Sequence, residues 1–297
     1  MYRILSSISL LVIIMFLQAC ISEDILPYAP TETYPEDEVL ASMSDTDRKA
    51  MVVIAHDDDM CAMSGTMAYL NEKGWEIAVL SMSKGELRNE AQRRACASIA
   101  DTVIFANISL NELRMDDGKA RPHYHAFPKD SFDIIFNKEL VRREYLEHIT
   151  KFDPNVMFTL DTAMGGYGHP EHVLISQMVL DLSRSGDIKS DYIYQSVFTD
   201  HMENSIMERH SKQMKEWGFP GNAWEKAKDI YDAQDGMSQP TVQINIEDYA
   251  QTKMQYLKSY NERERKIIGY FIPAYEEYDA EEYFKIFDRE FFHVIEI

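Results

Sequence analysis

From Arg48 onward, short apolar runs alternate with stretches whose apolar residues recur at helical spacing. Val52-Val53-Ile54-Ala55 is an apolar run bounded by polar residues, the pattern of a strand buried on both faces. Cys61 to Lys73 has helical periodicity and stops at Gly74, a residue suited to a helix end. Trp75 to Met82 predicts a second buried strand, Glu86 to Ala100 a helix, and Thr102 to Ile108 a third strand. Arg114 to Asp130 is polar and holds Gly and Pro, so it is expected as a long functional loop. Phe132 to Thr150 predicts a helix and Asn155 to Leu160 a strand entered through Asp153-Pro154. Val173 to Ser183 is again helical, with Pro170 fit for its first turn, and Tyr192 to Thr199 is a further strand. Strands alternating with helices at this spacing imply βαβ units and a parallel sheet. The expected fold class is α/β, a Rossmann-like three-layer sandwich with a mostly parallel sheet and a C-terminal α+β extension. Beyond His201 the pattern loosens: His201 to Gly236 resists assignment, and Ile246 to Lys266 reads as one long helix.

The first strand runs into His56-Asp57-Asp58-Asp59. In open α/β sheets, ligands bind just past the carboxyl ends of strands. A second charged turn, His169-Pro170-Glu171-His172, follows the glycine-rich Gly165-Gly166-Tyr167-Gly168 after another strand. Both turns precede a helix, so both are expected to open on one edge of the sheet. Together they offer His56, Asp58, Asp59, His169, Glu171 and His172, the donor types a catalytic divalent metal takes. A carboxylate that is not a ligand would remain free to take a proton from water.

Before Arg48 the chain differs. Arg3 followed by the apolar Ile8–Phe16 reads as a secretory signal, too short to span a bilayer. The stretch ends Leu17-Gln18-Ala19-Cys20, which resembles the lipobox of bacterial lipoproteins and implies acylation of Cys20 after removal of residues 1–19. Residues 20–47 are broken up by Pro27, Pro30 and Pro35 and charged by Glu23, Asp24, Glu32, Glu36, Asp37 and Glu38. Such a stretch reads as an extended tether leading to a globular domain over 48–297. The expected location is a bacterial membrane, periplasmic or cell-surface. Cys61 and Cys96 are left either to pair or to stay buried thiols.

Charge narrows the partners. The 297 residues hold 30 Lys+Arg against 50 Asp+Glu, a net of −20. That excludes nucleic acid, which needs clustered basic residues, and any electrostatic grip on anionic lipid.

Ala55-His56-Asp57-Asp58-Asp59-Met60 resembles the Ala-His-Pro-Asp-Asp-Glu signature of the PIG-L (LmbE-like) zinc-dependent N-deacetylases, and His169-Pro170-Glu171-His172 resembles their His-Pro-Asp-His motif. The glycine loop before it is similar to that of mycothiol-pathway deacetylases. The resemblance extends to Arg88, to Asp116-Asp117-Gly118, to Lys253 and to Glu290. It implies Zn2+ held by His56, Asp59 and His172, with Asp58 as general base. It implies that His169 stabilises or protonates the tetrahedral intermediate, that Glu171 orients His169, and that Tyr167 bonds the acyl oxygen. Arg88, Asp116 and Asp117 would contact substrate. The implied activity is removal of an N-acetyl group from an amino sugar of the N-acetylglucosamine type, in a glycan or glycoconjugate. Asp57 stands where the signature has proline, Met60 where it has glutamate, and Tyr260 where a late histidine is common. These departures leave open a non-catalytic glycan-binding lipoprotein, and the fold also admits a zinc amidase acting on a non-sugar N-acyl compound. Asp57 is expected to face solvent, and the aromatics around Trp217 and Trp224 to be core.

Overall fold

The computed structural model describes residues 25–116, 125–216, 218 and 220–297. The signal-like segment with Cys20, Asp117, and Trp217 lie outside these residues. Seven strands form one sheet: β1 Lys49–Val53, β2 Glu76–Met82, β3 Thr102–Ala106, β4 Val156–Leu160, β5 Tyr192–Val197, β6 Val242–Asn245 and β7 Arg289–Glu296. Their spatial order is β3-β2-β1-β4-β5-β7-β6. β1 to β5 are mutually parallel, whereas β7 runs antiparallel between β5 and β6. The expected α/β class with a mostly parallel sheet is therefore what the chain adopts. β1, β2 and β4 are buried nearly end to end, because helices cover both faces of a parallel sheet.

The longer helices are α1 Ser64–Glu72, α2 Glu86–Cys96, α3 Lys138–Phe152, α4 Pro170–Arg184, α5 Asp200–Glu216, α6 Ala223–Tyr231, α7 Ala250–Lys258, α8 Glu262–Phe271 and α9 Ala280–Ile286. Right-handed crossovers place α1 and α2 on one face of the sheet and α3 and α4 on the other. The chain turns from one half of the sheet to the other between the neighbours β1 and β4. That switch point is where an open α/β sheet presents its ligand crevice.

Three expectations change here. The acidic stretch from Ile25 is not a free tether. Ile25 and Leu40 are in the core, and Glu36 bridges to Gln243 on the β6 edge. Asp37 accepts the Tyr194 hydroxyl at 2.6 Å. Glu32 accepts the Thr199 hydroxyl and the His201 amide at the start of α5. Glu32, Glu36 and Asp37 are thus spent on fixed donors, and composition alone could not show those donors. The single late helix is two: Asn261 takes extended backbone and begins α8, while Tyr260 turns inward between α7 and α8. The unassigned stretch after His201 holds α5 and α6, and the C-terminal strands join the main sheet rather than stand apart. Cys61 and Cys96 are both buried free thiols. No helix of the described residues is long and apolar enough to cross a membrane.

Candidate active site

The site forms where β1 and β4 end. The turn after β1 carries His56 to Asp59, and the His56 amide donates to the Asp59 carboxylate at 2.7 Å, which closes the turn on itself. Glu290 from β7 accepts the Gly65 and Thr66 amides at 2.9 and 2.7 Å, capping the first turn of α1 just beyond it. Lys253 of α7 neutralises Glu290 in a buried ion pair. The turn after β4 is set by Asp161, whose carboxylate accepts the amides of Ala163, Met164 and Gly166. Gly165 has φ +57, and a Cβ there would lie 2.7 Å from that of His172. Only glycine lets this backbone come so close. His169 caps α4, its Nδ1 accepting the Glu171 amide at 3.3 Å, with Pro170 in the first turn as expected.

Three acceptor atoms converge. His56 Nδ1 lies 2.8 Å from His172 Nε2. Asp59 Oδ1 lies 3.1 Å from His172 Nε2 and 3.5 Å from His56 Nδ1. The outer nitrogens fix the tautomers. Glu171 Oε2 sits 2.7 Å from His56 Nε2, and the Gly165 carbonyl sits 2.8 Å from His172 Nδ1. Each outer nitrogen therefore carries the proton in a neutral ring and each inner one carries a lone pair. Two lone pairs and a carboxylate facing one point repel unless a cation lies between them. Tetrahedral zinc with bonds near 2.0–2.1 Å sets its ligands about 3.3 Å apart, which matches this triangle. The donors thus fit a divalent metal. His56 and Asp59 also share a second grouping with Asp58 and a third histidine, His169, lies within the same reach of His56 and His172.

The charges agree. Burial and Lys84 push the His56 imidazolium down, but the Asp59 and Glu171 carboxylates outweigh them and hold it up at about 9. Burial pushes Asp59 up, yet His172 and His56 hold it well below the usual carboxylate range. The carboxylates thus favour a positive charge within the triangle, which a proton on His56 supplies when no cation lies there and which a bound metal would replace. Asp58 is different: burial and then the neighbouring Asp59 charge raise its pKa, against Arg88 and His56. It is a carboxylate that favours a proton. His169 is kept neutral by burial and by His172 and His56. Since its Nδ1 accepts the Glu171 amide, its Nε2 is the N–H donor.

The remaining expected site residues divide. Tyr167 lines the cavity, with its ring 5.1 Å from that of His172. Glu171 does not orient His169. Its carboxylate binds His56 and lies 3.5 Å from Lys84 Nζ, because position two of α4 points back across the cleft to β1. A carboxylate behind a ligand histidine fixes the ring and raises its basicity. Arg88 reaches the cavity but is held there: its guanidinium grips Asp57 with two nitrogens, lies 3.3 Å from Asp58 and 3.5 Å from Glu264. Asp57 is accordingly buried, not solvent-facing, and burial and the Asp58 charge raise its pKa to about 6 despite Arg88. Its backbone carbonyl accepts the Tyr260 hydroxyl, so the late tyrosine supports the turn from behind. Met60 is fully buried in the core. Asp116 pairs with Arg114 and stands outside the cavity lining; Asp117 lies outside the described residues. Trp224 is buried and lines the cavity.

The cavity is about 830 Å3. Sequence reasoning missed Lys84, Asn107 and Ser109, although they follow β2 and β3 as His56 follows β1. The strand-end rule applied to all five parallel strands would have flagged them. It missed His210 and Phe271 as well, which lie on helices with no local signature.

The fold and site define an α/β protein with a His/Asp metal-type centre at the sheet's switch point. Residues 51–183 match the family model described as PIG-L: GlcNAc-PI de-N-acetylase, and this part of the chain, which holds both charged turns, belongs to that family. No curated protein sequence matches the chain. Among solved structures it is similar to the zinc-inhibited form of the teicoplanin deacetylase Orf2, with 11% identity, coverage of 84% of this chain and 98% of that one, and a TM-score of 0.51. A deacetylase–teicoplanin complex matches with 11% identity, 84% and 99% coverage and the same TM-score of 0.51. N,N'-diacetylchitobiose deacetylase from Pyrococcus horikoshii matches with 14% identity over 87% of this chain and 89% of that one, at a TM-score of 0.45. At these identities the two likenesses with a TM-score of 0.51 bear on the fold alone.

Proposed function

We propose that this chain is a zinc-dependent hydrolase that removes an N-acetyl or other N-acyl group from an amino sugar of a glycan or glycoconjugate outside the cytoplasm. The observation that carries the reading is the triangle of bare acceptors on His56, Asp59 and His172 beside a proton-favouring carboxylate, all facing one cavity. The family match to a de-N-acetylase and the deacetylase activity named for the similar structures point to the same reaction. Zinc bound by those three residues would supply Lewis acidity toward water and the acyl oxygen.

The chain's own residues do the rest. Asp58 takes the proton from the attacking water, a role its raised pKa suits because it holds that proton until the amine leaves. Arg88 keeps Asp58 in place from one side. His169 presents an Nε2–H to the cavity and stabilises the negative oxygen that develops on the acyl carbon. Tyr167 closes the same side. Glu171 holds the His56 ring so that Nδ1 faces inward. Asp57 and Met60 are turned to Arg88 and to the core, off the acceptor triangle, so neither departure disables the site. Export and Cys20 acylation, read from the lipobox-like terminus, would put the enzyme on a membrane with its substrate outside the cell.

The test is acetate release from N-acetylglucosamine derivatives by the purified chain, lost on chelation and restored by zinc. Turnover that survives exhaustive chelation, or none from any amino-sugar amide after zinc loading, defeats the proposal. A panel of non-sugar N-acyl compounds run beside it separates an amino-sugar enzyme from a general amidase.

A further inference from the structure

The cavity has two unlike walls. On one side, loops after β2 and β3 contribute Ser83, Lys84, Asn107 and Ser109, and Arg88 stands beside them. These groups suit sugar hydroxyls. On the other side the wall is made by α5, α6 and α8, through His210, Met214, Trp224 and Phe271. Met237 and Phe198 extend it. This apolar wall is continuous with the acceptor triangle. The Tyr167 ring lies 5.1 Å from His172 and stacks on Phe271 at 4.4 Å. The His210 ring follows, 5.4 Å from Phe271. Burial and the Arg209 charge lower the His210 pKa, so this imidazole adds no positive charge at neutral pH. A space of about 830 Å3 is near the top of the range of roughly 300–1,000 Å3 typical of ligand pockets. An acetyl group, with a single methyl, would cover little of this apolar side.

Resting on the hydrolase reading above, we infer that the preferred substrate is an amino sugar N-acylated with a fatty chain of about six carbons or more, and that this chain lies in the aromatic chamber between Tyr167 and Trp224. The geometry of an amide gives the direction. A trans amide sends its two substituents to opposite sides of the reacting carbonyl. If the sugar takes the polar wall, the acyl chain faces the apolar one. Each methylene buried there improves transition-state binding about fourfold. The water's oxygen forms the new bond to the carbonyl carbon, the C–N bond breaks, and the proton held by Asp58 goes to the departing amine. The products are a free amino sugar and a fatty carboxylate.

The test uses the full chain loaded with zinc and four substrates: N-acetyl-, N-hexanoyl- and N-decanoylglucosamine, and the octyl glycoside of N-acetylglucosamine. Amine release is followed in each case. The expected result is a kcat/KM for the hexanoyl compound at least tenfold above the acetyl compound. Phe271→Ala and Trp224→Ala should lower the hexanoyl-to-acetyl ratio. Calorimetric titration of the Asp58→Asn protein should show the same preference in binding, which does not depend on turnover. Rates that fall steadily as the acyl chain lengthens, with acetyl still cleaved, overturn the inference and leave the hydrolase reading intact. A gain from the octyl glycoside without one from the longer acyl chains assigns the chamber to the aglycone and also overturns it. Failure of all four to be cleaved or bound removes both readings together.

Discussion

The two walls of the cavity come from two parts of the chain that obey different rules. The polar, acceptor-bearing side is built by loops at the ends of β1 to β4, and both charged turns fall inside residues 51–183. The apolar side is built by α5, α6 and α8, all beyond that stretch. On the first side each reacting group sits in a short run of adjacent residues, because a single turn fixes them together. On the second side the groups come from three helices and the loops around them, spread over some seventy positions between Phe198 and Phe271. The lesson is a division of labour: local backbone holds the acceptor atoms, whereas tertiary packing of distant residues makes the apolar wall. The halves are not independent. Glu290 and Lys253, from the late half, clamp the start of α1 behind the His56–Asp59 turn, and Tyr260 holds the Asp57 carbonyl.

The sharpest break in this contrast is removal of an acceptor. His172→Ala should lose bound metal by elemental analysis and drop amide hydrolysis to background, with zinc unable to restore it. The fold should persist by circular dichroism, since α4 is buried along most of its length. A His172→Ala protein that keeps stoichiometric zinc removes His172 from the ligand set. Next comes the base. Asp58→Asn should retain metal and lose about 10²–10⁴-fold in kcat. Retained turnover would shift the role to another group, with His169 the nearest alternative.

The link between the halves is tested by Lys253→Ala. It leaves the buried Glu290 carboxyl with the Gly65 and Thr66 amides as its hydrogen-bond partners among the described residues. Breaking such a buried pair typically costs about 3–5 kcal/mol. Urea denaturation should show that loss, and the His56–Asp59 turn should weaken with it. A change under about 1 kcal/mol would mean that the Gly65 and Thr66 amides alone sustain the carboxylate.

The same division explains what could be read from the chain. β1 to β5, α1 to α4 and the position of both turns follow from short apolar runs and glycine stops, so sequence pattern located them and set the two turns on one edge of the sheet, whereas β6 and β7 carried no such pattern. It failed where a residue's partner lies far along the chain. Asp57 looks like a solvated acid until Arg88, thirty-one positions away, is seen to grip it. Glu171 looks like a partner for its neighbour His169, yet its carboxylate crosses the cleft to His56. The acidic run from Glu32 to Glu38 looks unfoldable, yet Thr199, Tyr194 and Gln243 supply its donors. Helix periodicity ran unbroken through Tyr260, whose inward turn depends on the Asp57 carbonyl. In each case a charged or polar group was priced as if water were its only partner.

The smallest expected effect lies in the apolar half. Glu203 on α5 is buried, and both its oxygens accept the Met237 amide, at 3.0 and 3.2 Å. Gly236 permits the approach, since a Cβ there would fall 2.0 Å from Glu203 Oε1. Burial raises its pKa from 4.5 to about 7; the Met237 amide and Lys228 oppose this, while Asp161 and Asp200 add to it. A carboxyl whose folded pKa is raised binds more protons folded than unfolded between pH 4.5 and 7. Stability from this group is therefore full below pH 4.5 and is lost as pH rises through 7. At about 1.4 kcal/mol per pH unit the loss is on the order of 3 kcal/mol. Glu203→Gln carries no such charge, so its stability relative to the native chain should improve steadily from pH 5 to pH 7. Urea midpoints of the two proteins measured side by side at both values check this, because the other titrating groups are common to both. Parallel midpoints would show that Glu203 is already ionised at pH 5 and that the Met237 amide outweighs its burial. Because Met237 lines the chamber, the hexanoyl-to-acetyl ratio of the native chain should drift over the same interval, whereas that of the Gln variant should not.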